Sequence, residues 1–206
     1  MTLSNSIIDT TARLLVFTRT PVPGGVKTRL SSAIGDERTV AVHTGLLERT
    51  LEQARRSRIG DIELWCTPTT RHPVLADLRD RFSLALQMQA GADLGERMQS
   101  AMEQTLKTCR HALLIGSDCI DLSAADIDLA LAKLVAGYDV VLGPAHDGGY
   151  YLIGLSRLQR QLFADIAWGT DRVLPVTRER AAQLELKLFE LPVRRDLDRP
   201  EDLRYL

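Results

Sequence analysis

Four segments of this 206-residue sequence hold residue types that could act together in one site. The first is PVPGGVKTRL, Pro21 to Leu30, where Pro23, Gly24 and Gly25 precede two cations, Lys27 and Arg29. Prolines stiffen such a loop, and glycines let its backbone N–H groups approach a ligand closely. Free N–H groups beside Lys and Arg are what a phosphate needs. The GxxxxGK[ST] signature of a P-loop is absent. The plain alternative is a Pro-Gly turn carrying two solvated cations. In an extended loop, positions 27 and 29 project to one side, whereas a helix would splay them by about 200°.

The second segment is HALLIGSDCIDL, in which Asp118 lies two residues beyond an apolar run. A carboxylate at the carboxyl end of a buried strand faces the ligand crevice of an α/β sheet. Mg²⁺ prefers one or two carboxylates completed by phosphate oxygens and water. Asp118 is therefore a candidate metal ligand, and Asp121 reads as a turn or cap residue. The third segment, DLDRPEDL, supplies Asp196 and Asp198 ahead of Pro200, which could open a short terminal helix. The fourth, GPAHDGGYYLIGL, sets Asp147, Gly148 and Gly149 between two apolar stretches. It reads either as a hairpin turn or as a crevice loop whose glycines admit a sugar or base. His146 has no second histidine nearby, which argues against zinc.

These loops need a scaffold. Arg13 to Thr18, Asp61 to Cys66, Leu84 to Met88, His111 to Gly116, Asp139 to Gly143, Tyr150 to Leu155 and Leu186 to Leu191 read as strands. Helical spacing runs through Asp36 to Ser57, Pro73 to Arg81, Leu94 to Cys109 and Asp171 to Leu184. A Ser123/Asp126 capping box opens another helix that runs to Ala136. This alternation predicts one α/β domain, residues 13–206, with a mostly parallel central sheet and helices on both faces. The strands at 13–18, 112–116 and 139–143 should be central. Residues 1–12 read as a flexible tail without the basic and apolar regions of a signal peptide.

Bulk composition narrows the partners. The formal net charge of -1 gives no general attraction to nucleic acid or membrane. No apolar run is long enough for a membrane span. Three cysteines without metal-site spacing fit reduced thiols in a cytoplasmic protein.

In order along the chain, PVPGGVKTRL, GADLGERM (Gly91 to Met98), GSDCIDL (Gly116 to Leu122), GPAHDGGYYLIGL, WGTDRVL (Trp168 to Leu174) and DLDRPEDL resemble a bacterial family of GT-A-type, nucleotide-diphospho-sugar transferase-like proteins. Some of its members are associated with arsenosugar biosynthesis. The same layout is similar to 2-phospholactate guanylyltransferase and, more distantly, to other nucleotidyltransferases. The resemblance spans residues 13–206 and implies a Rossmann-like GT-A fold. It implies that Lys27 and Arg29 hold phosphates and that Asp118 and Asp198 bind a divalent metal, Mg²⁺ or Mn²⁺. Gly95 and Ser117 then join Pro23, Gly24, Gly25, Gly148 and Gly149 as nucleotide-binding candidates. Three positions depart from the family pattern: Ile120 replaces a proline, Arg199 a threonine and Gly169 a serine.

Three functions follow as expectations. The first is glycosyl transfer from a nucleotide-sugar to a small-molecule acceptor, with Asp147 as general base if the reaction inverts. The second is nucleotidyl transfer from an NTP to a phosphorylated small molecule with release of pyrophosphate. The third is a non-catalytic nucleotide-binding module, against which the retained carboxylates and cations argue. Each is compatible with a homo-oligomer.

Overall fold

The computed structural model describes residues 9–206. The expected tail at residues 1–8 lies outside the described residues, while residues 9–12, also assigned to it, belong to the first strand. Seven strands form one sheet: β1 (Asp9–Arg19), β2 (Ile59–Thr67), β3 (Ala85–Met88), β4 (His111–Gly116), β5 (Val140–Pro144), β6 (Tyr150–Leu155) and β7 (Leu188–Glu190). Their order across the sheet is β3-β2-β1-β4-β6-β5-β7. The helices are α1 (Thr28–Ile34), α2 (Asp36–Arg56), α3 (Pro73–Phe82), α4 (Leu94–Leu106), α5 (Ala124–Val135) and α6 (Val173–Gln183), with a terminal 3₁₀ helix at Pro200–Tyr205.

Alternation of side chains divides the core into two layers. In β1, Leu14 and Val16 face α2, α3 and α5, while Leu15 and Phe17 face α4 and α6. β4 does the same, with Leu113 and Ile115 on one side and Ala112 and Leu114 on the other. All four of these β4 residues are buried, as expected for a strand covered on both faces. β1 pairs in parallel with β2 and β4, so the loops after β1 and β4 leave the same edge of the sheet.

Two features differ from the sequence expectation. β6 inserts between β4 and β5 and is antiparallel to both, so β5, expected to be central, lies next to the edge strand β7, and the hairpin reading of the turn between β5 and β6 holds. The cause is the short connection from β5 to β6: a parallel return needs a crossover of a dozen or more residues, and this link permits only a hairpin. The second feature is α1, which starts directly after Lys27 where an extended loop was expected. The Ser123/Asp126 capping box at α5 is present as read from the sequence. No described helix is long and apolar enough to cross a membrane.

Candidate active site at the carboxyl edge of the sheet

The polypeptide after β7 is the element that gathers the site. Residues 194–198 run across the carboxyl edge and are tied to two loops at once. His146 N donates to Arg194 O at 3.1 Å and Arg194 N to Pro144 O at 3.0 Å, fixing the segment to the β5–β6 turn. Ile120 N donates to Arg195 O and Leu197 N to Asp118 O, each at 2.9 Å, fixing it to the loop after β4. The Arg194 guanidinium bonds the buried Asp126 of α5 at 2.8 Å, which holds the segment laterally. Residues 118, 147, 196 and 198 are thereby brought to one place from three parts of the chain.

Two cations complete it. Lys27 stands at the N-cap of α1 in the left-handed conformation, φ 42° and ψ 50°. For a side-chain-bearing residue this costs about 1 kcal/mol. The turn re-aims its side chain beneath the loops, where Nζ lies 2.7 Å from Asp118 Oδ1 and also donates to Leu197 O. That side chain is only 3% exposed. Arg29, one helical step on, reaches Asp198 with Nη1 to Oδ2 at 2.5 Å, and both partners are half open to solvent. The helical backbone does not splay the pair away from the site, because Lys27 sits outside the helix and its left-handed φ changes its direction.

Behind Asp118 is a buried polar layer that the sequence did not reveal. His43 of α2 has Nδ1 3.9 Å from Asp118 Oδ1, while Nε2 is within 3.2 Å of Thr18 Oγ1 and 3.0 Å of Arg19 O. Burial holds its pKa below the ordinary imidazole value despite the nearby carboxylate. A neutral His43 supports the loop without adding charge. Ser117 Oγ donates to Thr18 Oγ1 at 3.2 Å within the same layer. The signal for His43 was only a titratable residue on a buried helix face that also carries Thr39 and Thr50.

Asp196 is the other residue the sequence reading undervalued. Burial pushes its carboxyl up to about 7, and Asp147, Asp118 and Asp198 add like-charge repulsion that Lys27 partly offsets. It lines the junction of two connected hollows. One, about 500 Å³, is walled by Arg29, Asp147, Asp171, Arg195, Asp196, Asp198 and the terminal 3₁₀ helix. The other, about 160 Å³, is more apolar and is lined by Leu94, Met98, Gly149, Tyr150, Trp168 and Val173, with Asp147 and Asp196 shared. The rings of Tyr150 and Trp168 meet edge to face, with centroids 6.3 Å apart.

The expected site residues divide accordingly. Lys27, Arg29, Asp118, Asp147 and Asp198 converge. Asp147 is both a turn residue and a crevice residue: its Oδ1 accepts from Gly149 N at 2.9 Å, and its side chain lines both hollows. Gly149 lines the apolar hollow. Gly148 has φ 89°, and a Cβ there would fall 2.5 Å from Asp171 Cα, so its glycine serves the packing of this turn. Gly95 is buried in α4, where a Cβ would fall 2.4 Å from Trp168 Nε1. Its contact is with the ring that lines the hollow, not with the hollow itself. Ser117 is buried in the polar layer, and Pro23, Gly24 and Gly25 form a turn closed by Gly25 N to Val22 O at 3.0 Å, outside the crevice wall.

The donor atoms suit a hard divalent cation. Asp118 and Asp198 offer only carboxylate oxygen, and Asp118 Oδ1 is buried with no hydrogen-bond partner beyond its ion pair. No group of three or more potential ligands is gathered among the described residues. A bound ion would therefore need phosphate or water oxygens to complete its shell.

Comparison with known proteins places the family and the fold. Residues 50–170 match the family described as uncharacterized proteins conserved in bacteria, DUF2064. A crystal structure from Desulfovibrio desulfuricans G20, provisionally named a nucleotide-diphospho-sugar transferase, is 30% identical with a TM-score of 0.84, over 92% of this chain and 83% of that one. The inositol-1-phosphate CTP transferase of T. maritima shares the fold at 14% identity and TM-score 0.62, over 92% of this chain and 90% of its own. Glucosyl-3-phosphoglycerate synthase from Mycobacterium tuberculosis, solved with Mn²⁺, UDP and glucosyl-3-phosphoglycerate, shares it at 11% identity and TM-score 0.59, over 95% of this chain and 75% of its own. No curated protein matches the sequence.

Proposed function

This chain belongs to the bacterial DUF2064 family, and we propose that it is a metal-dependent transferase that moves a sugar from a nucleotide-diphosphate donor to a small-molecule acceptor. The observation that carries this reading is the pair of ion pairs on the segment after β7: Arg29–Asp198 on the crevice wall and Lys27–Asp118 beneath it, where Lys27 also holds Leu197 O. Each candidate phosphate-binding cation is spent on a candidate metal-binding carboxylate. A donor diphosphate can draw Lys27 and Arg29 onto its oxygens and so release Asp118 and Asp198. A divalent ion held by those two carboxylates supplies further neutralisation of the departing diphosphate. Arg29 can grip a phosphate with two parallel N–H bonds, while Lys27 acts as a point charge. Their attraction grows as the leaving group gains charge, which is the condition for lowering a barrier.

On the acceptor side, Asp147 can take the proton of an attacking hydroxyl if the reaction inverts. The apolar hollow beside it, with Trp168 and Tyr150, suits the face of a sugar ring and keeps water from the reacting carbon. The three free cysteines support a cytoplasmic setting. Two cations at the start of α1 can also span neighbouring phosphates of a triphosphate, which supports nucleotidyl transfer as the second reading. Product analysis over a panel of nucleotide-sugars and NTPs, each with Mg²⁺ and Mn²⁺, separates the two. Glycosyl transfer releases free nucleoside diphosphate from a nucleotide-sugar. Pyrophosphate release from an NTP would establish the second reading, and neither product from any donor would refute both.

A further inference from the structure

The outer wall of the larger hollow has a chemistry unlike its floor. The floor carries Asp147, Asp171, Asp196 and the Arg29–Asp198 pair, whereas the wall presents Arg195, Arg199 and Arg204 around Tyr205. The Arg195 guanidinium lies 3.9 Å from the Tyr205 ring centroid and that of Arg204 lies 4.7 Å from it, so one ring orients two of the three. Among the described residues neither Arg199 nor Arg204 makes an ion pair, and the nearest carboxylate to Arg195 is Asp121 at 3.9 Å. Asp202, on the same 3₁₀ helix, turns its carboxylate to the backbone and forms no ion pair with them. Its Oδ2 accepts from the backbone N–H groups of Asp198 and Arg199 at 3.0 and 2.8 Å.

Among the described residues Arg199 and Arg204 face the hollow without an ion pair and Arg195 holds Asp121 only at 3.9 Å, so an oxyanion placed among the three guanidiniums finds donors that no carboxylate has fully engaged. Guanidinium forks match carboxylate and phosphate geometry. The donor diphosphate is already provided for by Lys27 and Arg29. We propose that Arg195, Arg199 and Arg204 form an anchor for an oxyanion on the acceptor, a phosphate or carboxylate that does not itself react. The acceptor class is then a hydroxylated molecule with an acidic handle, lying with its hydroxyl toward Asp147 and its charge toward Tyr205. The assignment of this anion to an acceptor rests on the transferase reading above.

The test is calorimetric binding of glycerol 3-phosphate, glycerate and uncharged glycerol to the wild-type protein and to Arg199→Thr/Arg204→Ala. Circular dichroism checks that these exposed substitutions leave the fold intact. Saturable binding of an oxyanion, absent for glycerol and weakened at least tenfold in the double variant, is the expected result. Binding of the phosphate alone identifies a phosphomonoester handle, and binding of glycerate alone a carboxylate. Equal affinity in wild type and variant, or no oxyanion binding to the wild type, overturns the anchor. A parallel thermal-shift titration with UDP and other nucleoside diphosphates reports on the donor site. Loss of oxyanion binding in the variant with no nucleotide stabilising either protein would sink the transferase reading and leave the anion site standing.

Discussion

Two ion pairs meet the same segment after β7, made of the same kinds of group, in different surroundings. Lys27 is buried with its charge against Asp118, while Arg29 and Asp198 meet in the open. In water an ion pair is worth little and parts easily. A cation inside the protein is costly once its partner is removed. The difference teaches that the inner pair belongs to the architecture as well as to the proposed chemistry. The outer pair is the half of the site that can exchange partners cheaply.

The largest expected contrast lies between the two aspartates. Asp118→Ala strands a buried ammonium and is expected to cost about 3 kcal/mol of stability. Asp198→Ala leaves an arginine that water can solvate and is expected to cost less than about 1 kcal/mol. Urea unfolding of the two variants measures this directly, and equal losses would break the comparison. Turnover comes next. Lys27→Ala is expected to lower kcat about 100-fold and Arg29→Ala about 10-fold, with smaller changes in KM, because both contacts strengthen toward the transition state. Steady-state kinetics with the donor found by product analysis gives the numbers; wild-type rates in both variants would reduce the loop to a structural turn.

A smaller effect sharpens the electrostatics of the shared floor. With its carboxyl pushed up to about 7, Asp196 keeps a proton in the folded state that the unfolded chain releases near pH 4. Its favourable contribution is complete below that lower value and is lost as pH rises through about 7. Asp196→Asn is therefore expected to leave stability unchanged at pH 4 and raise it by about 1 kcal/mol at pH 8 in metal-free buffer, a figure reduced for its partial exposure. Thermal melts at the two pH values check the sign, and a gain confined to low pH would contradict it.

How far the sequence foretold this site depends on what each residue's position required. Lys27, Arg29 and Asp118 stood out because polar residues next to apolar runs and prolines mark loop ends, and the sheet rule places those ends at one edge, whereas Asp198 read as a helix cap and was singled out only by the family resemblance. β1 and β4 were legible because strands buried on both faces leave continuous apolar runs. The position of β6 between β4 and β5 was not, since YYLIGL reads the same in either direction. α1 was hidden because a left-handed Lys27 starts it and no side-chain cap announces it. Asp196 and His43 escaped for a different reason. What makes Asp196 matter is the arrival of Asp118 and Asp147 from elsewhere in the chain, and His43 reaches Asp118 only through the packing of α2 against the sheet. Neither dependence leaves a mark in local spacing.

The exchange of partners at the outer pair is the centre of this account, and one titration tests it most directly. In wild-type protein Arg29 competes with a metal ion for Asp198, so Arg29→Ala is expected to bind Mn²⁺ more tightly in the absence of nucleotide, by about 3- to 10-fold. The same substitution should weaken binding of a nucleoside diphosphate, so the two affinities move in opposite directions. Electron paramagnetic resonance of free Mn²⁺ during titration of wild type and variant measures the first. Tighter Mn²⁺ binding by the variant is the predicted result; unchanged or weaker binding would show that Arg29 does not guard a metal site at Asp198.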